Sequence, residues 1–417
     1  MKDDAASGTE VMQVQCCICG GGPAGMMLGF LLARAGVEVV VLEKHADFLR
    51  DFRGDTIHPS TLEVMYELGL LDEFLKRPHQ EVKQLHGFVG NYQATLADFS
   101  HLPTHCQFIA LMPQWDFLDF LAEHGRRYPT FHLRMRAEVT ELIQEDGRVE
   151  GVRATTPEGT LEVRAALTIG ADGRTSTVRK QAGMKVLDIG APMDVLWMRF
   201  SRKSTDPDQT GGRFDRGKVL AMIYRGDYWQ CGYVIPKGRY EEIRGRGIEA
   251  LRAEIADLMP YLADRVSELR SWEDVRLLTV AVDRLEQWHC PGLLCIGDAA
   301  HAMSPVGGVG INLAIQDGVA TANLLAVPLA RGSTTVNDLQ NVQRRRELPT
   351  RLTQWLQVQV QNRVIGSALQ AQGTLSPPWP VRLLNRVPWL RRIPARLVGM
   401  GFRPEHVKSA DAFARSK

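Results

Sequence analysis

The chain has 417 residues, which at about 150 residues per domain predicts two to three domains and excludes a small disulfide-stapled scaffold. Hydrophobic residues make up 44% and charged residues 24%, so the composition also excludes disordered and collagen-like proteins. Lys and Arg (50) nearly balance Asp and Glu (48), and the resulting net charge of +2 gives no indication of nucleic-acid binding.

Positive charge is concentrated near the C-terminal end. Residues 341–417 contain 14 basic and 3 acidic residues, so residues 1–340 contain 36 basic and 45 acidic ones. Within the basic segment, residues 381–387 and 389–393 interleave apolar and cationic side chains. This pattern fits a helical cap packed on the body, which we expect; an amphipathic surface for peripheral membrane contact is the alternative.

Seven cysteines, an odd number, are predicted to lie on strands, which suits reduced thiols in a cytoplasmic protein. Cys16, Cys17 and Cys19 lie close together, but no second ligand pair follows at zinc spacing, so we predict no metal site. The charged N-terminal residues predict no signal peptide, and no run of about 18 uncharged apolar residues predicts a membrane span.

The first predicted unit is a complete βαβ unit, in which a glycine-rich turn joins a buried strand to an apolar helix and a second strand follows. Two later strands each lead into a loop with an acidic residue at its first or second position, and a helix follows the second loop. These predicted elements are, in chain order, strand 11–19, helix 24–35, strand 37–42, strand 166–170, strand 293–297 and helix 310–325.

A different pattern separates these units. Four predicted strands, two of which are joined through Gly226 and Asp227 as a hairpin, indicate an antiparallel or mixed sheet that a helix interrupts. We therefore predict a second domain inserted into the first, followed by a helical C-terminal segment. The strands are residues 195–202, 218–225, 228–235 and 275–282, and the helix is residues 248–262.

The glycine-rich turn fits the pattern G-x-G-x-x-G between a strand and a helix. The helix N-terminus offers unpaired N–H groups to a pyrophosphate, and an acidic residue that ends the second strand can bind a ribose. The turn therefore predicts dinucleotide binding. The predicted contacts are Gly20, Gly22, Pro23, Ala24, Gly25, Glu43 and the neighbouring Lys44.

Two further motifs carry a family resemblance. Residues 297–301 read Gly-Asp-Ala-Ala-His and are followed by Ser304-Pro305 and by Gly-Gly-Val-Gly-Ile-Asn over residues 307–312. Residues 171–174 read Ala-Asp-Gly-Arg. Together with the first turn, these motifs resemble the single-component FAD-dependent aromatic hydroxylases, the group of p-hydroxybenzoate hydroxylase and the ubiquinone-pathway hydroxylases.

The resemblance implies a role for several residues. Asp298, after Gly297, would bind the ribityl chain of FAD, and Pro305 would border the pocket at flavin C4a. Gly310 would let the backbone pass close to the flavin ring. The N–H groups of Ile311 and Asn312, which open a helix, would face that ring, where the positive end of the helix dipole stabilises reduced flavin. Further cofactor contacts implied by the resemblance are Arg53, Gln114, Val139 and Asp172.

The implied reaction is that of an enzyme: an FAD-dependent monooxygenase that uses NADPH or NADH and O2 to hydroxylate an aromatic or hydrophobic small molecule through a C4a-hydroperoxyflavin. Tyr224 and Tyr233 are candidate substrate contacts, and Arg199 and His58 are further ones. A prenyl-chain reductase or dehydrogenase, a halogenase and a non-catalytic flavin protein remain alternatives.

The predicted fold class is α/β, with a Rossmann-like FAD-binding domain and an inserted mixed or antiparallel sheet that binds substrate. The FAD-binding domain is predicted to be discontinuous, over residues 11–75, 105–185 and 285–340. The substrate domain is predicted over residues 76–104 and 186–284, and the basic helical segment over residues 341–417.

Overall fold

The computed structural model describes residues 8–49, 56–207, 210–371, 373 and 375–414. Arg53 lies outside these residues. The strands are β1 Thr9–Cys19, β2 Val39–Glu43, β3 Thr56–Ile57, β4 Gln80–Val82, β5 Gln84–Val89, β6 Tyr92–Asp98, β7 Ile109–Leu111, β8 Phe131–Met135, β9 Glu138–Glu145, β10 Arg148–Thr156, β11 Gly159–Gly170, β12 Val186–Asp188, β13 Met193–Ser201, β14 Gly211–Asp215, β15 Lys218–Tyr224, β16 Tyr228–Pro236, β17 Arg276–Leu278, β18 Asp283–Leu285, β19 His289–Cys290 and β20 Leu293–Cys295.

The α-helices bury apolar faces against these sheets, and short 3-10 turns connect several of them. A π-helical turn, Gln361–Ile365, joins α9 to α10. The helices are α1 Pro23–Arg34, α2 Pro59–Glu67, α3 Leu71–Phe74, α4 Gln114–Gly125, α5 Thr177–Gln181, α6 Tyr240–Gly245, α7 Ile248–Leu258, α8 Val309–Ala330, α9 Val336–Val360, α10 Gly366–Gln370, α11 Trp379–Arg386 and α12 Arg392–Gly399.

The larger sheet has eight strands and follows the order β19-β20-β11-β1-β2-β8, with β10 and β9 continuing from β11. Strands β20, β11, β1, β2 and β8 are mutually parallel. Their interior residues are almost continuously apolar because parallel strands are covered on both faces. Helices α1 and α8 pack together in this core. The predicted α/β fold with a Rossmann-like unit is confirmed.

Parallel pairing places three sequence motifs at one edge of the sheet. β1 ends at Cys19, β11 at Gly170 and β20 at Cys295, and each strand is followed at once by one of the motifs. Ligands of open α/β sheets bind beyond the carboxyl ends of the strands. The motifs, which are more than 100 residues apart in sequence, therefore meet where a dinucleotide is expected.

The second sheet has seven strands in the order β17-β13-β16-β15-β14-β5-β6, and all pairs but β14 with β5 are antiparallel. The predicted β15–β16 hairpin is confirmed. One face of the sheet packs on α7 through residues such as Leu196 and Met222. The opposite face carries Val195 and Val234 and contacts Val306 of the loop before α8.

Two predicted elements end earlier than expected. The strand predicted over residues 275–282 is paired only over β17. Beyond β17, the Asp194 carboxylate accepts a hydrogen bond from Val280 N (2.9 Å) and Lys237 Nζ donates to Val280 O (2.6 Å). Side chains therefore take the place of strand-to-strand backbone hydrogen bonds at Val280. The predicted helix ends as α7 at Leu258, and Pro260 begins a separate 3-10 turn.

Helix α8 lies within the longest apolar helical run of the described residues, Val306–Ala330, which is long and apolar enough to cross a membrane. This run was not predicted from the sequence. However, 67% of its most apolar window is buried inside the protein, and the helix carries the fully buried Asp317. It is a core helix by its packing.

The end of the chain is predicted and observed to be helical through α9–α12. Residues 405–412 then form an extended segment, the C-terminal strap, across the body. Arg34 Nη1 donates to Ser409 O (2.7 Å), and Ala412 N donates to Arg34 O (2.9 Å). Val407 N donates to the Glu67 carboxylate (2.7 Å). The strap therefore ties the last residues to α1 and α2.

The cysteines are all free. Cys16, Cys17 and Cys19 lie on β1 and are buried, as predicted, whereas Cys106 lies in a loop. Burial raises the pKa of the Cys16 thiol well above its ordinary value, so this thiol stays protonated and behaves as a small apolar side chain.

Candidate active site

The turn after β1 needs glycine at two positions for packing. Gly20 has φ +111°, and a β-carbon there would meet Ala171 O at 2.3 Å. A β-carbon at Gly25 would meet Gly20 O at 2.0 Å. These two residues therefore allow the ends of β1 and β11 and the start of α1 to approach one another closely.

Gly22 is different because its surroundings are open. It is the N-cap of α1 in an extended conformation, and a β-carbon there would meet nothing within 4 Å. No side chain caps α1, and Pro23 at its first position has no N–H to offer. The N–H groups of Ala24 and Gly25 are free of a capping side chain and fit an anionic pyrophosphate.

Glu43 ends β2 beside this turn and is 8% exposed. Its Oε2 accepts a hydrogen bond from Gly21 N (3.0 Å) and its Oε1 accepts one from His45 N (3.0 Å). The carboxylate is thus held at the position where a ribose hydroxyl is expected. Lys44 follows it and is exposed. Ala137 N donates to Glu43 O (2.9 Å), which places the start of β9, with Val139, near this strand end.

Asp172 follows β11 and caps α5. Its Oδ2 accepts hydrogen bonds from Thr177 N (2.8 Å) and Val178 N (3.2 Å). Its Oδ1 is buried and has no hydrogen-bond partner in the part of the chain that the structure describes. Burial raises the pKa of this carboxyl group above its ordinary value. The unpaired oxygen is the feature that a bound cofactor or water would satisfy.

Asp298 lies inside the 3-10 turn Gly297–Ala299 that follows β20, and the N-cap of this turn is Ile296, so Asp298 is not a helix cap. Its Oδ2 lies 3.4 Å from Arg174 Nη2, and both side chains are about one-third exposed. Gly297 before it has φ +57°. The structure thus brings the second and third motifs into contact and leaves the Asp298 carboxylate accessible.

The loop from Ser304 to Gly308 closes the same edge. Pro305 is half-buried, and its carbonyl accepts a hydrogen bond from Gly308 N (3.1 Å). Thr56 Oγ1 donates to Gly308 O (2.9 Å), and a β-carbon at Gly308 would meet Thr56 Oγ1 at 2.4 Å. The loop is therefore a compact turn that β3 holds in place.

Helix α8 begins directly after this loop. Its N-cap Gly308 is left-handed, no side chain caps it and its first turn has no acidic residue. The N–H groups at Gly310 and Ile311 therefore keep the positive end of the dipole for a ligand. The Asn312 side chain is already used: its Oδ1 accepts from His58 N (2.8 Å), and its Nδ2 donates to Thr56 O (2.8 Å).

His58 does not reach a substrate position. It is 1% exposed, and its Nδ1 lies 2.7 Å from Val398 O of α12. Burial lowers the pKa of His58 to about 4, so the ring is neutral and its Nδ1 donates to the carbonyl. This histidine anchors the C-terminal helices.

Tyr224 and Tyr233 lie on the face of the second sheet that packs on α7. The Tyr233 hydroxyl donates to the Glu254 carboxylate of α7 (2.5 Å), and the Tyr224 ring packs 5.8 Å from that of Trp229. This position gives no support to a role in substrate contact. Arg199 lies on the opposite face, exposed, over the Tyr228 ring at 4.0 Å.

Gln114 is the first residue of α4 and is half-buried. Helix α4 packs on α1. Among the described residues Gln114 makes no hydrogen bond to the glycine-rich turn, and its role in cofactor binding stays a prediction.

A buried ionic network, which was not predicted from the sequence, lies beneath the turn at Gly297. Asp317 Oδ2 accepts from Gly297 N (3.0 Å) and contacts His301 Nε2 (2.6 Å), and its Oδ1 contacts Arg346 Nε (2.8 Å). Arg346 also contacts Glu405 of the C-terminal strap (3.3 Å). The signal available in the sequence was one acidic residue in an otherwise apolar helix.

Comparison with known proteins agrees with this geometry. A family model described as an FAD binding domain matches residues 13–355. The chain is 33% identical to 6-methylpretetramide 4-monooxygenase from Streptomyces rimosus over 385 residues, 91% of each protein. It is 30% identical to rifampicin monooxygenase from Streptomyces venezuelae over 313 residues, 72% of this chain and 61% of that relative.

Among solved structures, OxyS anhydrotetracycline hydroxylase from Streptomyces rimosus matches with a TM-score of 0.71 and 25% identity, over 93% of this chain and 76% of the other. The family match includes all three motifs at the sheet edge, and the resemblance predicted from them is confirmed. The chain belongs to the FAD-binding family of flavoprotein monooxygenases.

Proposed function

We propose that the protein hydroxylates a planar fused-ring aromatic compound and that its second sheet forms the wall against which the substrate lies. The observation that carries this proposal is a row of small residues across the sheet. Gly87, Gly212, Ala221 and Gly232 lie directly opposite one another on four adjacent strands, and Trp197 continues the row on β13.

The row lies on the face of the sheet that contacts Val306 of the Ser304–Gly308 loop. Val195 and Trp197 are two residues apart on β13, so their side chains lie on the same face of the sheet. Val195 packs in the apolar cluster that includes Val306. A β-carbon at Gly232 would meet the Trp197 ring at 3.1 Å, and one at Gly212 would meet the Phe214 ring at 3.3 Å. The missing side chains let both rings lie close to the sheet, which gives a flat apolar wall.

Strand spacing sets the size of this wall. Four strands about 4.8 Å apart span roughly 14 Å from Gly87 to Gly232. A flat surface of this width suits a linear fused-ring system better than a single ring. The names of two relatives, which contain pretetramide and anhydrotetracycline, support the same substrate class.

Bound FAD would supply the redox chemistry, in which an aromatic C–H, NAD(P)H, O2 and a proton give the C–OH product, NAD(P)+ and water. The chain's own residues would do the rest. The first turns of α1 and α8 would bind the pyrophosphate and the flavin ring through backbone N–H groups. Glu43 and Asp298 would accept hydrogen bonds from ribose and ribityl hydroxyls, and the apolar wall would hold the substrate and exclude water.

The test begins with purified protein and its flavin spectrum. NADH and NADPH oxidation and O2 uptake are then measured with fused-ring phenols and with single-ring phenols of equal charge. We expect substrate-dependent O2 uptake with the fused-ring compounds and a product that carries one atom of labelled O2. Turnover of single-ring phenols alone would refute the substrate class.

The alternatives give different results in the same assay. A prenyl-chain reductase or dehydrogenase would turn over without substrate-dependent O2 uptake, and a halogenase would require halide. Residues 228–236 match the Trp-x-Trp-x-Ile-Pro signature of flavin-dependent halogenases only in part, because the second tryptophan is absent. Their one tryptophan, Trp229, is fully buried, and its Nε1 donates to Asp206 Oδ2 (3.0 Å). A non-catalytic flavin protein would stay yellow and inactive.

We also infer that the predicted domain boundaries separate an FAD-binding domain from a substrate-binding domain, each built on its own sheet. The FAD segments would contribute the eight-stranded sheet, and residues 76–104 and 186–284 would contribute the seven-stranded one. The pairing of β5 with β14 supports this, because it joins the two substrate segments into one sheet. The small sheet β3-β7-β4 would connect the two domains.

We propose cytoplasmic localisation with peripheral contact to an anionic membrane. The free cysteines suit a reducing compartment. The inner sides of α11 and α12 cap β6, but Trp379 and Trp389 are 74% and 62% exposed. Between Glu347 and Glu405 the chain has eight arginines and no acidic residue. Exposed tryptophans among arginines fit an anionic lipid surface.

Vesicle co-sedimentation tests this contact. We expect binding to phosphatidylglycerol vesicles, little binding to phosphatidylcholine vesicles, and loss of binding in the Trp379→Ser, Trp389→Ser double variant. Trp355→Ser, on the exposed side of α9, is the matched control. No binding to anionic vesicles, or self-association through α11 and α12 instead, would refute the proposal.

A further inference from the structure

Three buried glutamines lie on one face of α9 and the π-helical turn that follows it. Gln354, Gln357 and Gln361 are spaced by three and four residues, and each is less than 5% exposed. This spacing places them in a row along one side of the helix. The row faces the loop of residues 302–306, which contains Pro305.

Gln354 and Gln357 bind the backbone of this loop at every second residue, from residue 302 to residue 306. Gln354 Nε2 donates to Ala302 O (3.2 Å). Gln357 Nε2 donates to Ser304 O and Val306 O, both at 2.9 Å, and its Oε1 accepts from Ser304 N (3.2 Å). The carbonyls on both sides of Pro305 are thus turned toward α9, and the loop cannot rotate without breaking these bonds.

Gln361 completes the row through the serine. Its Nε2 donates to Ser304 Oγ (2.5 Å), which also accepts from Val306 N (3.2 Å). Gln361 is the first residue of the π-helical turn, and π-turns inside helices are frequent at functional sites. Both Gln357 and Gln361 lie beyond residue 355, where the family match ends.

A purely structural role does not explain Gln361. Its Oε1 is buried and has no hydrogen-bond partner among the described residues. Burying an unpaired carbonyl is unfavourable, and an apolar side chain of similar volume avoids that penalty. The amide of Gln361 should therefore stabilise the fold less than an apolar side chain of similar volume would. The interaction that only the amide can make is the hydrogen bond to Ser304.

We propose that Gln357 and Gln361 are positioning residues that fix the Ser304–Val306 loop and thereby set the reactivity of reduced flavin with O2. The proposal rests on the proposed function, because it takes Pro305 as the border of the oxygen pocket. A loosened loop admits water and changes the shape of that pocket. The consequence is that NAD(P)H oxidation loses its coupling to hydroxylation and yields H2O2.

The test compares Gln361→Leu and Gln357→Leu with Gln359→Leu. Gln359 lies on the same helix outside the row, and its variant is the matched control. The flavoprotein is photoreduced without substrate and mixed with O2, and reoxidation is followed by the visible flavin absorbance. Thermal unfolding and FAD affinity are measured on the same samples, and H2O2 per NAD(P)H is measured with substrate.

We expect Gln361→Leu to unfold at the wild-type temperature or above it and to bind FAD normally. Its reoxidation rate and its H2O2 yield should change by about two- to tenfold, the range that one net hydrogen bond spans. Gln357→Leu should show a larger change together with a lower unfolding temperature, because it leaves loop backbone groups unpaired. Gln357→Asn, with a shorter side chain, should not restore the wild-type rate.

Unchanged reoxidation in Gln361→Leu and Gln357→Leu overturns this proposal, and that result is obtained whether or not a substrate is known. A change of equal size in Gln359→Leu overturns it as well. If the wild-type flavin is reoxidised normally but the protein hydroxylates no fused-ring compound, the proposed substrate class is refuted. The role of the glutamines is then still decided by the reoxidation rates of the variants.

Discussion

Asp317→Asn tests the buried network that supports the second FAD motif. Asp317 is fully buried and accepts from Gly297 N (3.0 Å), and its carboxylate contacts His301 (2.6 Å) and Arg346 (2.8 Å). The substitution keeps the side-chain volume but removes the negative charge between the ring and the guanidinium. Among the residues that the structure describes, Arg346 then keeps only its longer ion pair with Glu405 (3.3 Å), and removing one partner of a buried ion pair typically costs about 3–5 kcal/mol.

The size of the protein converts this loss into a temperature. About 2.1 cal/mol/K per residue over 417 residues gives an unfolding entropy of about 0.9 kcal/mol/K. A single cooperative transition should therefore shift down by about 3–6 °C in Asp317→Asn. The assay is thermal unfolding followed by circular dichroism and by release of FAD fluorescence.

Glu286→Gln is the control, because Glu286 is 42% exposed and pairs with Lys185, which is 71% exposed (2.7 Å). Exposed pairs contribute little, so this variant should unfold within about 1 °C of the wild type. An Asp317→Asn protein that unfolds at the wild-type temperature would show that the network is not needed to hold the Gly297 turn, and the reasoning would fail.

Three further predictions follow from individual contacts. The Gly22→Val apoprotein should unfold at the wild-type temperature, because a β-carbon at this position meets no other atom within 4 Å. Its FAD affinity should fall by at least about 100-fold, because the valine side chain would occupy the space that the pyrophosphate needs. Equal FAD titration curves for the variant and the wild type would contradict this. Tyr233→Phe should keep its hydroxylation kinetics and lose only the hydrogen bond to Glu254, worth about 1 kcal/mol in urea unfolding; a large fall in kcat would place Tyr233 in the site after all. Burial opposes ionisation of Asp317, but His301 and Arg346 together hold the pKa of this carboxyl below its ordinary value, so its stabilising contribution is present above about pH 4 and lost as the pH falls through the lower folded value. Urea unfolding between about pH 5 and pH 2 should show this loss in the wild type and a shallower one in Asp317→Asn.

The parts of the fold that the sequence predicted are local ones. The β1-turn-α1-β2 unit follows from a glycine pattern and apolar periodicity within 35 residues, and each motif directly follows its own strand. Because parallel pairing then brings strand ends to one edge, the three motifs could be predicted to meet.

The unpredicted parts depend on long-range packing. Side-chain alternation along β15 places Met222 and Tyr224 on one face and Ala221 and Ile223 on the other, but the sequence does not show which of these faces α7 covers. Asp317 and Arg346 are 29 residues apart, and no local pattern pairs them.

The glutamine row on α9 could not be recognised from the sequence, for a physical reason. A polar stripe with helical spacing normally marks a solvent-exposed face. Here Gln354, Gln357 and Gln361 are buried because the loop of residues 302–306 offers its backbone groups to them. The sequence shows the stripe but not the loop that lies against it.

The C-terminal strap delays completion of the fold during synthesis. Arg34 of α1 binds Ser409, which is 375 residues later in the chain. At roughly 5–20 residues per second, a ribosome takes about 20–75 s to cover that distance. Throughout this time α1 and α2 lack their last partners, and the Asp317–Arg346 pair lacks Glu405. The nascent chain therefore completes the contacts of α1 and α2 only after residues 405–412 have been synthesised, so this part of the fold forms last.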